Sequence, residues 1–287
     1  MKPALALLTA VFVLAGSALA GTITTFELDS PTLGRTWAFN VYLPDGYEGS
    51  NLEYPVIYLL HGTGGDETSW NEGMELIDDL VASGAIPPVI AVAPATGRSW
   101  WVDTIEPFET AFVQDLIPHV DASFRTIEDR GGRAVVGLSM GGYGALRYAL
   151  VHSDVFRTAT LLSPALYAEQ PPLGSSARST GAFGAPYDPD LWAARNYPTA
   201  LEGYLARGLE VPVFIGVGDD DWNEPEGWVY NVDYQAALLF QRLNKEAGSA
   251  AELRVVDGGH DWSAWQPLLV EALPYMTRYL RFPRPTQ

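Results

Sequence analysis

The clearest candidate for chemistry is a serine in the segment 137–141, which reads Gly-Leu-Ser-Met-Gly. A short apolar run, residues 134–136, precedes this segment, and a pattern with helical spacing follows it. A sharp strand-to-helix turn with glycines on both sides is the setting that holds a serine hydroxyl out for nucleophilic attack. The start of the next helix adds N–H groups and a positive dipole that favour an oxyanion. Ser139 is therefore the predicted nucleophile.

A serine hydroxyl needs a base, and the chain contains four histidines. His260 lies in a loop between the last predicted strand and the last predicted helix, which completes the order serine, acid, histidine along the chain. We predict that His260 acts as general base and then as general acid. His61 follows a buried strand and is predicted to support its loop, whereas His119 and His152 are predicted to be ordinary histidines at helix ends.

The acid should follow the strand predicted at residues 211–217, between the nucleophile and the histidine. There the chain reads Gly-Asp-Asp-Asp at 218–221, with Glu224 shortly after. One of these carboxylates, Asp221 and Glu224 included, must accept a hydrogen bond from the imidazole and hold it in the useful tautomer. The alternating ligand spacing of an EF-hand is absent from this cluster, so we predict no metal site.

The tetrahedral intermediate of acyl transfer also needs two N–H donors for its oxyanion. The first predicted donor is the backbone N–H of Met140, the residue after the nucleophile. The second should come from the Gly-rich loop 61–65, which follows the strand at residues 56–60, and Thr63 is the predicted donor.

Four tryptophans lie near loops that are expected at the carboxyl ends of strands. Aromatic walls at such a place suit a phenolic acyl group or a sugar ring, and we predict that these residues bind substrate. Structural packing is the alternative for each of them. They are Trp70, Trp100, Trp101 and Trp222.

These residues must be positioned by a regular alternation of strands and helices. Apolar runs predict strands at residues 56–60, 89–93, 134–138, 211–217 and 253–256, after an alternating antiparallel pair at 22–28 and 35–43. Helical spacing falls between them, at 74–82, 109–120, 140–151, 234–247 and 265–280. This order predicts a largely parallel sheet covered on both faces. Residues 167–197 interrupt this alternation of strands and helices. They are predicted to form a long connecting segment that serves as a rim or a lid at the carboxyl ends of the strands, with one short helix near Leu191.

The amino terminus carries the pattern of an export signal. Lys2 is followed by an apolar run over residues 4–15 and by Ala-Leu-Ala at 18–20. We predict that residues 1–20 are a signal peptide and that residues 21–287 form one catalytic domain, located outside the cytoplasm as a secreted or periplasmic protein. No later run is apolar and long enough for a membrane span.

Composition excludes several classes of function. The formal net charge is −18, which argues against binding to nucleic acid. The chain has no cysteine, so disulfides, a thiolate nucleophile and cysteine-bound zinc are all excluded.

The chain resembles the esterase D / putative esterase family. The likeness is carried by residues 54–62 (Tyr-Pro-Val-Ile-Tyr-Leu-Leu-His-Gly), 137–142 (Gly-Leu-Ser-Met-Gly-Gly) and 258–265 (Gly-Gly-His-Asp-Trp-Ser-Ala-Trp), and it extends from about residue 35 to 279. The family includes feruloyl esterases, S-formylglutathione hydrolases, enterobactin esterases and the antigen 85 mycolyltransferases.

The resemblance implies an α/β-hydrolase fold, no cofactor, and catalytic roles for Ser139 and His260. It also implies Asp221 as the acid, because the family places it three residues after a glycine that ends the strand, with Glu224 as the fallback. The family's oxyanion loop matches Gly62 and Thr63. The export signal differs from the cytoplasmic S-formylglutathione hydrolases, and the loop 63–65 differs from the mycolyltransferases.

Together these features predict a serine esterase that acts through an acyl-enzyme on a small-molecule or polysaccharide-linked ester, with phenolic and carbohydrate esters favoured. Two alternatives share the scaffold: an acyltransferase that passes the acyl group to an alcohol, and a non-catalytic carbohydrate-binding protein. A serine peptidase is a third, with no sequence feature in its favour.

Overall fold

The apolar runs form the strands of an eight-stranded sheet in the computed structural model, which describes residues 20–221 and 225–286. The strands are β1 (Thr22–Ser30), β2 (Arg35–Leu43), β3 (Leu52–Glu53), β4 (Val56–Leu60), β5 (Ile90–Pro94), β6 (Arg133–Leu138), β7 (Thr158–Leu162), β8 (Val213–Gly218), β9 (Ala251–Val256) and β10 (Arg284–Pro285). The large sheet has the order β1-β2-β5-β4-β6-β7-β8-β9, and β3 pairs with β10 apart from it. Pairing is antiparallel from β1 to β5 and parallel from there to β9.

Helices connect the strands and cover both faces of the sheet. They are α1 (Asn71–Ala82), α2 (Phe108–Ala111), α3 (Ile117–Ser123), α4 (Met140–Val151), α5 (Pro189–Arg195), α6 (Tyr197–Arg207), α7 (Val232–Lys245) and α8 (Trp262–Thr277). A π-helical turn, Phe112–Leu116, joins α2 to α3. Among the described residues, no helix combines the length and the apolar character that crossing a membrane requires.

The sequence of strand β4 is continuously apolar because both faces of the strand are buried. All five of its side chains are fully buried, and alternate residues enter different cores because side chains alternate across a sheet. Val56, Tyr58 and Leu60 pack into the larger core, which includes side chains of α4 and α7. Ile57 and Leu59 pack into the smaller core, beneath α1 and α8.

The architecture confirms the predicted α/β-hydrolase fold. The antiparallel pair at one edge and the mostly parallel sheet are as predicted, and α5 lies at the short helix expected within residues 167–197. Four elements were missed: the short strands β3 and β10, which pair apart from the large sheet, β7, which lies between β6 and β8, and α6, which follows α5. The predicted signal segment, apart from Ala20, lies outside the described residues.

Candidate active site

Ser139 stands on a strained turn between β6 and α4. Its backbone has φ 55° and ψ −120°, a region that non-glycine residues rarely adopt and that costs on the order of 1–3 kcal/mol. The glycines on either side permit the close approach of other backbone atoms. An added Cβ would lie 1.9 Å from the Gly141 carbonyl oxygen if built on Gly137, and 1.9 Å from the Leu60 carbonyl oxygen if built on Gly141. The glycines therefore allow the serine to occupy this tight, half-buried turn.

Asp221 and His260 come together because the loops after β8 and β9 approach each other. The Asp220 N–H donates to the Gly258 carbonyl at 3.0 Å, and the Gly258 N–H donates to Asp219 Oδ1 at 3.1 Å. A side chain on Gly218 would collide with the Gly258 carbonyl oxygen, at 2.1 Å. Two neighbouring parallel strands thus present their carboxyl ends at one place.

The imidazole of His260 is hydrogen-bonded to the carboxylate of Asp221, with Nδ1 and Oδ1 2.7 Å apart. The Asp221 side chain is fully buried, whereas the His260 side chain is 21% exposed. A carboxylate that accepts from Nδ1 holds the proton on that nitrogen and leaves Nε2, on the other edge of the ring, to serve as the base. This arrangement can orient an imidazole and stabilise its protonated form.

His61 organises the loop that enters the cavity beside Ser139. Its Nε2 accepts from the Thr96 N–H at 2.9 Å, so the proton of the neutral ring is on Nδ1, which donates to the Gly62 carbonyl at 2.7 Å. Burial lowers the pKa of His61 to about 4, so the ring is neutral at ordinary pH. This is the supporting role that was predicted for it.

The bond from His61 also constrains Thr63. In a trans peptide the carbonyl of one residue and the N–H of the next point in opposite directions. Because the Gly62 carbonyl faces the buried imidazole, the Thr63 N–H is turned away from it. A Cβ built on Gly62 would lie 3.4 Å from the Ser139 Cβ, which places this loop against the serine. Met140 begins α4, so its N–H belongs to the first turn, where no intrahelical acceptor exists.

Ser139 and His260 line the same cavity, which has a volume of about 410 Å³. That volume suits a small organic ligand. Its walls combine apolar surfaces with several hydroxyl groups. The other lining residues are Gly62, Thr63, Gly65, Ser69, Trp100, Leu138, Ala165, Tyr167, Ser175, Ser176, Trp262 and Trp265.

The predicted tryptophans are not gathered at one place. Trp100 lines the cavity, but Trp70 and Trp101 do not, and both are fully buried. Trp70 packs behind Trp262 with ring centroids 5.7 Å apart, and Trp101 donates from Nε1 to the His61 carbonyl at 3.2 Å. These two side chains thus support the walls, which corrects their predicted contact with substrate. Trp222 lies outside the described residues, as does Glu224, the fallback acid.

Sequence reasoning missed three aromatic residues of the cavity: Tyr167, Trp262 and Trp265. Trp265 packs edge-on against His260, with ring centroids 5.3 Å apart, and donates from Nε1 to Ser163 Oγ. The signal was present, because both tryptophans follow the predicted base within five residues at the start of a helix.

Comparisons with known proteins identify the family to which the chain is similar. A sequence model of the family described as "Putative esterase" matches residues 30–276. An esterase of Mycobacterium tuberculosis is 32% identical over 259 residues, covering 82% of this chain and 55% of that protein. An endo-1,4-beta-xylanase/feruloyl esterase of Xylanibacter ruminicola is 37% identical over 161 residues, covering 51% of this chain and 22% of that protein. The chain therefore spans about half the length of the first relative and about a fifth of the second.

A solved structure is similar over nearly its whole length. It is a ferulic acid esterase, with a TM-score of 0.74 and 29% sequence identity over 91% of this chain and 99% of that one.

Proposed function

Since the chain belongs to the putative esterase family, we propose that it hydrolyses carboxylic esters through an acyl-enzyme formed on Ser139. The observation that carries this proposal is the 2.7 Å bond between His260 Nδ1 and the buried Asp221, in the cavity that Ser139 also lines. A buried carboxylate, an oriented imidazole and a serine on a strained strand-to-helix turn are the three parts that acyl transfer requires.

The proposed reaction has two halves. The Ser139 hydroxyl attacks the ester carbonyl carbon while His260 Nε2 takes its proton, and the N–H groups of Thr63 and Met140 stabilise the oxyanion. As the tetrahedral intermediate collapses, the C–O bond to the alcohol breaks and His260 returns the proton to the leaving oxygen. Water then attacks the acyl-enzyme with His260 as base, which releases the acid and restores the Ser139 hydroxyl. Asp221 stabilises the imidazolium in each half.

We propose a phenolic or carbohydrate-linked ester as the substrate. Trp100, Trp262 and Tyr167 supply aromatic surfaces for a ring, and the hydroxyls of Ser175 and Ser176 supply polar contacts beside them. Two similar proteins, an endo-1,4-beta-xylanase/feruloyl esterase and a ferulic acid esterase, are named for phenolic esters and so support the same class of substrate.

We also propose that the protein is exported. The support is the signal pattern of residues 1–20, in which Ala-Leu-Ala at 18–20 offers a cleavage site before Gly21. The mature enzyme would then act in the periplasm or outside the cell.

The decisive experiment compares the mature protein with Ser139→Ala on methyl ferulate and short-chain p-nitrophenyl esters. We expect hydrolysis by the wild type and loss of at least about 10³-fold of kcat in the variant. Activity that survives the substitution would mean that Ser139 is not the nucleophile. A fluorophosphonate probe should label the wild type alone, and a folded wild type that is neither labelled nor active would favour the carbohydrate-binding alternative.

Product analysis separates hydrolysis from acyl transfer. Each ester is incubated with and without a sugar acceptor, and the acids and new esters are quantified. Free acid alone in both cases supports a hydrolase, whereas a sugar ester as the main product would make the protein an acyltransferase. Peptide substrates tested beside the esters should remain intact.

A further inference from the structure

The backbone nitrogen of Gly21 makes a polar contact beside the edge strand β1, outside the cavity that Ser139 lines. It donates to Asp78 Oδ1 at 2.9 Å, and Asp78 belongs to α1. The Tyr42 hydroxyl donates to the same oxygen, also at 2.9 Å. The residue that precedes the edge strand β1 is thus tied to a helix on the face of the sheet.

At position 21, only a glycine fits without a shift of the surrounding atoms. A Cβ built on Gly21 would lie 2.4 Å from Cε2 of Tyr42, 2.7 Å from the Leu43 carbonyl oxygen and 2.8 Å from Asp78 Oδ1. All three distances are far below van der Waals contact, so the chain passes through a slot that fits a residue with no side chain. The cleavage motif Ala-Leu-Ala at 18–20 independently marks the same glycine as the first residue after processing.

We infer that Asp78 is a binding site for the processed amino terminus, which it holds as an ammonium–carboxylate pair once the bond between Ala20 and Gly21 has been hydrolysed. This inference rests on the export proposed above. Hydrolysis adds water across the peptide bond and leaves a carboxylate on Ala20 and an amine on Gly21, which takes up a proton at neutral pH. A neutral N–H donor thereby becomes a cation with three donors at the same position.

The change in charge strengthens the contact. Hydrogen bonds between an ammonium and a carboxylate are roughly twice as strong as neutral ones. The ionisable side chains that line the adjoining cavity of about 350 Å³ are Asp45, Tyr47 and Glu48, and the negative charges of the two carboxylates also favour a cation there. Burial and the bond to Asp78 raise the pKa of Tyr42, so its hydroxyl stays a neutral donor.

The pair has a physical role that fits an exported enzyme. Strand β1 is an edge strand, and a terminal strand frays unless its end is attached. The unprocessed chain can attach this end only through a neutral peptide N–H. Removal of the signal peptide therefore completes the attachment of β1 to α1 and makes the mature form more stable than the precursor.

The test compares two proteins that differ by one residue, one beginning at Gly21 and one at Ala20, each released from a cleavable fusion and verified by mass. We expect a Tm about 2–4 °C higher for the protein that begins at Gly21. Asp78→Asn should abolish that difference, whereas Asp79→Asn, a substitution of the exposed neighbouring carboxylate, should preserve it. An equal Tm for the two proteins, or a difference that persists in Asp78→Asn, overturns the inference.

The pH dependence gives a second readout. The carboxylate should raise the pKa of the Gly21 amine above its unfolded value of about 7.7–8.0. The added stability is then fully present below about pH 7.7 and is lost as the pH rises through the folded pKa. The Tm difference should disappear by about pH 10.5. A difference that is independent of pH up to that point contradicts an ammonium contact.

Mass spectrometry of the exported protein keeps the two proposals distinguishable. A mature protein that begins at another residue would overturn the natural role of the pair while leaving the esterase proposal intact. Ester hydrolysis per folded molecule, measured on the same samples, reports on the esterase proposal alone.

Discussion

At the residue scale, Asp221 determines which nitrogen of His260 carries the proton. Its carboxylate is fully buried and can only accept, so it keeps the proton on Nδ1. In the described part of the loop after β8, Asp219 and Asp220 are exposed, and Asp219 is engaged with a backbone N–H. Asp221 therefore differs from its two exposed neighbours: it is buried, and its carboxylate bonds to the imidazole.

Asp221→Asn tests this assignment. The amide can donate to Nδ1, which would move the ring proton to Nε2 and leave no base toward Ser139. We expect kcat on p-nitrophenyl acetate to fall by about 10³–10⁴-fold with little change in folding. Asp220→Asn, which removes a neighbouring charge at an exposed position, should retain activity within about threefold. A similar loss in both variants would assign the effect to the charge of the loop and not to the hydrogen bond.

The residue types and their order along the chain were sufficient to select Ser139 and His260 as candidates, which the fold brings to one cavity, and to predict that His61 supports its loop. They were insufficient for the tryptophans. Trp100 and Trp101 are neighbours, and both have positive φ, at 58° and 59°, yet one lines the cavity and the other is buried against His61. That division depends on backbone conformations that no sequence pattern signals.

At the element scale, the segment 167–197 is anchored along its second half. The Tyr143 hydroxyl and Arg147 Nη1, both on α4, donate to the Arg195 carbonyl at 2.8 Å. Trp192 is fully buried, with its ring 4.7 Å from Phe183 and 5.6 Å from Tyr143 between centroids. The helix that carries the strained serine at its start therefore also anchors the segment whose first half contributes Tyr167, Ser175 and Ser176 to the cavity.

Trp192→Ala should remove that anchor. Truncation of a buried tryptophan costs about 3–5 kcal/mol of unfolding free energy, which denaturant unfolding would measure. The matched control is Trp228→Ala, because Trp228 is 66% exposed and its loss should change the unfolding free energy by less than about 0.5 kcal/mol. Equal effects of the two substitutions would show that the aromatic cluster does not anchor the segment.

Two of the elements that the sequence did not predict, β7 and α6, both contact α4. Strand β7 reads Thr-Ala-Thr-Leu-Leu, and its five residues are all buried, so it shows no alternation and only a short apolar run. Its two threonines reduce the apolar signal further, although Thr158 Oγ1 is satisfied by the Pro212 carbonyl. Asn196 is the single residue between α5 and α6. In the sequence, the break between the two helices is signalled only by Asn196 as an N-cap residue.

At the scale of the whole molecule, strand order assembles the site. Strands β4 and β6 are neighbours, which brings the loop of Thr63 beside Ser139, and β8 and β9 are neighbours, which brings Asp221 to His260. Strand β7 lies between the two pairs and sets their separation. The sequence predicted the strands that carry these residues, but the cavity between them depends on side-chain packing across the whole carboxyl edge of the sheet.

Stability in acid should depend on the one histidine that the site keeps buried and neutral. The folded pKa of His61 is about 4, against about 6.5 for an unfolded histidine. Between these values the unfolded chain binds a proton that the folded chain does not, so the unfolding free energy must fall as the pH falls through this window. The imidazolium could not keep its bond from the Thr96 N–H, because Nε2 would itself become a donor. A shift of this size corresponds to roughly 3 kcal/mol.

His61→Asn removes this titration while its amide can still donate to the Gly62 carbonyl. The unfolding free energies of wild type and variant are measured in denaturant at pH 7, 6, 5 and 4. The gap between these two free energies should narrow by about 3 kcal/mol as the pH falls to 4. The exposed Trp228→Ala variant provides the control, since it removes no ionisable group and its gap should not change with pH. If the His61→Asn gap also stays constant, the acid sensitivity of the protein arises elsewhere, and His61 holds the loop 61–65 without limiting the pH range over which the fold survives.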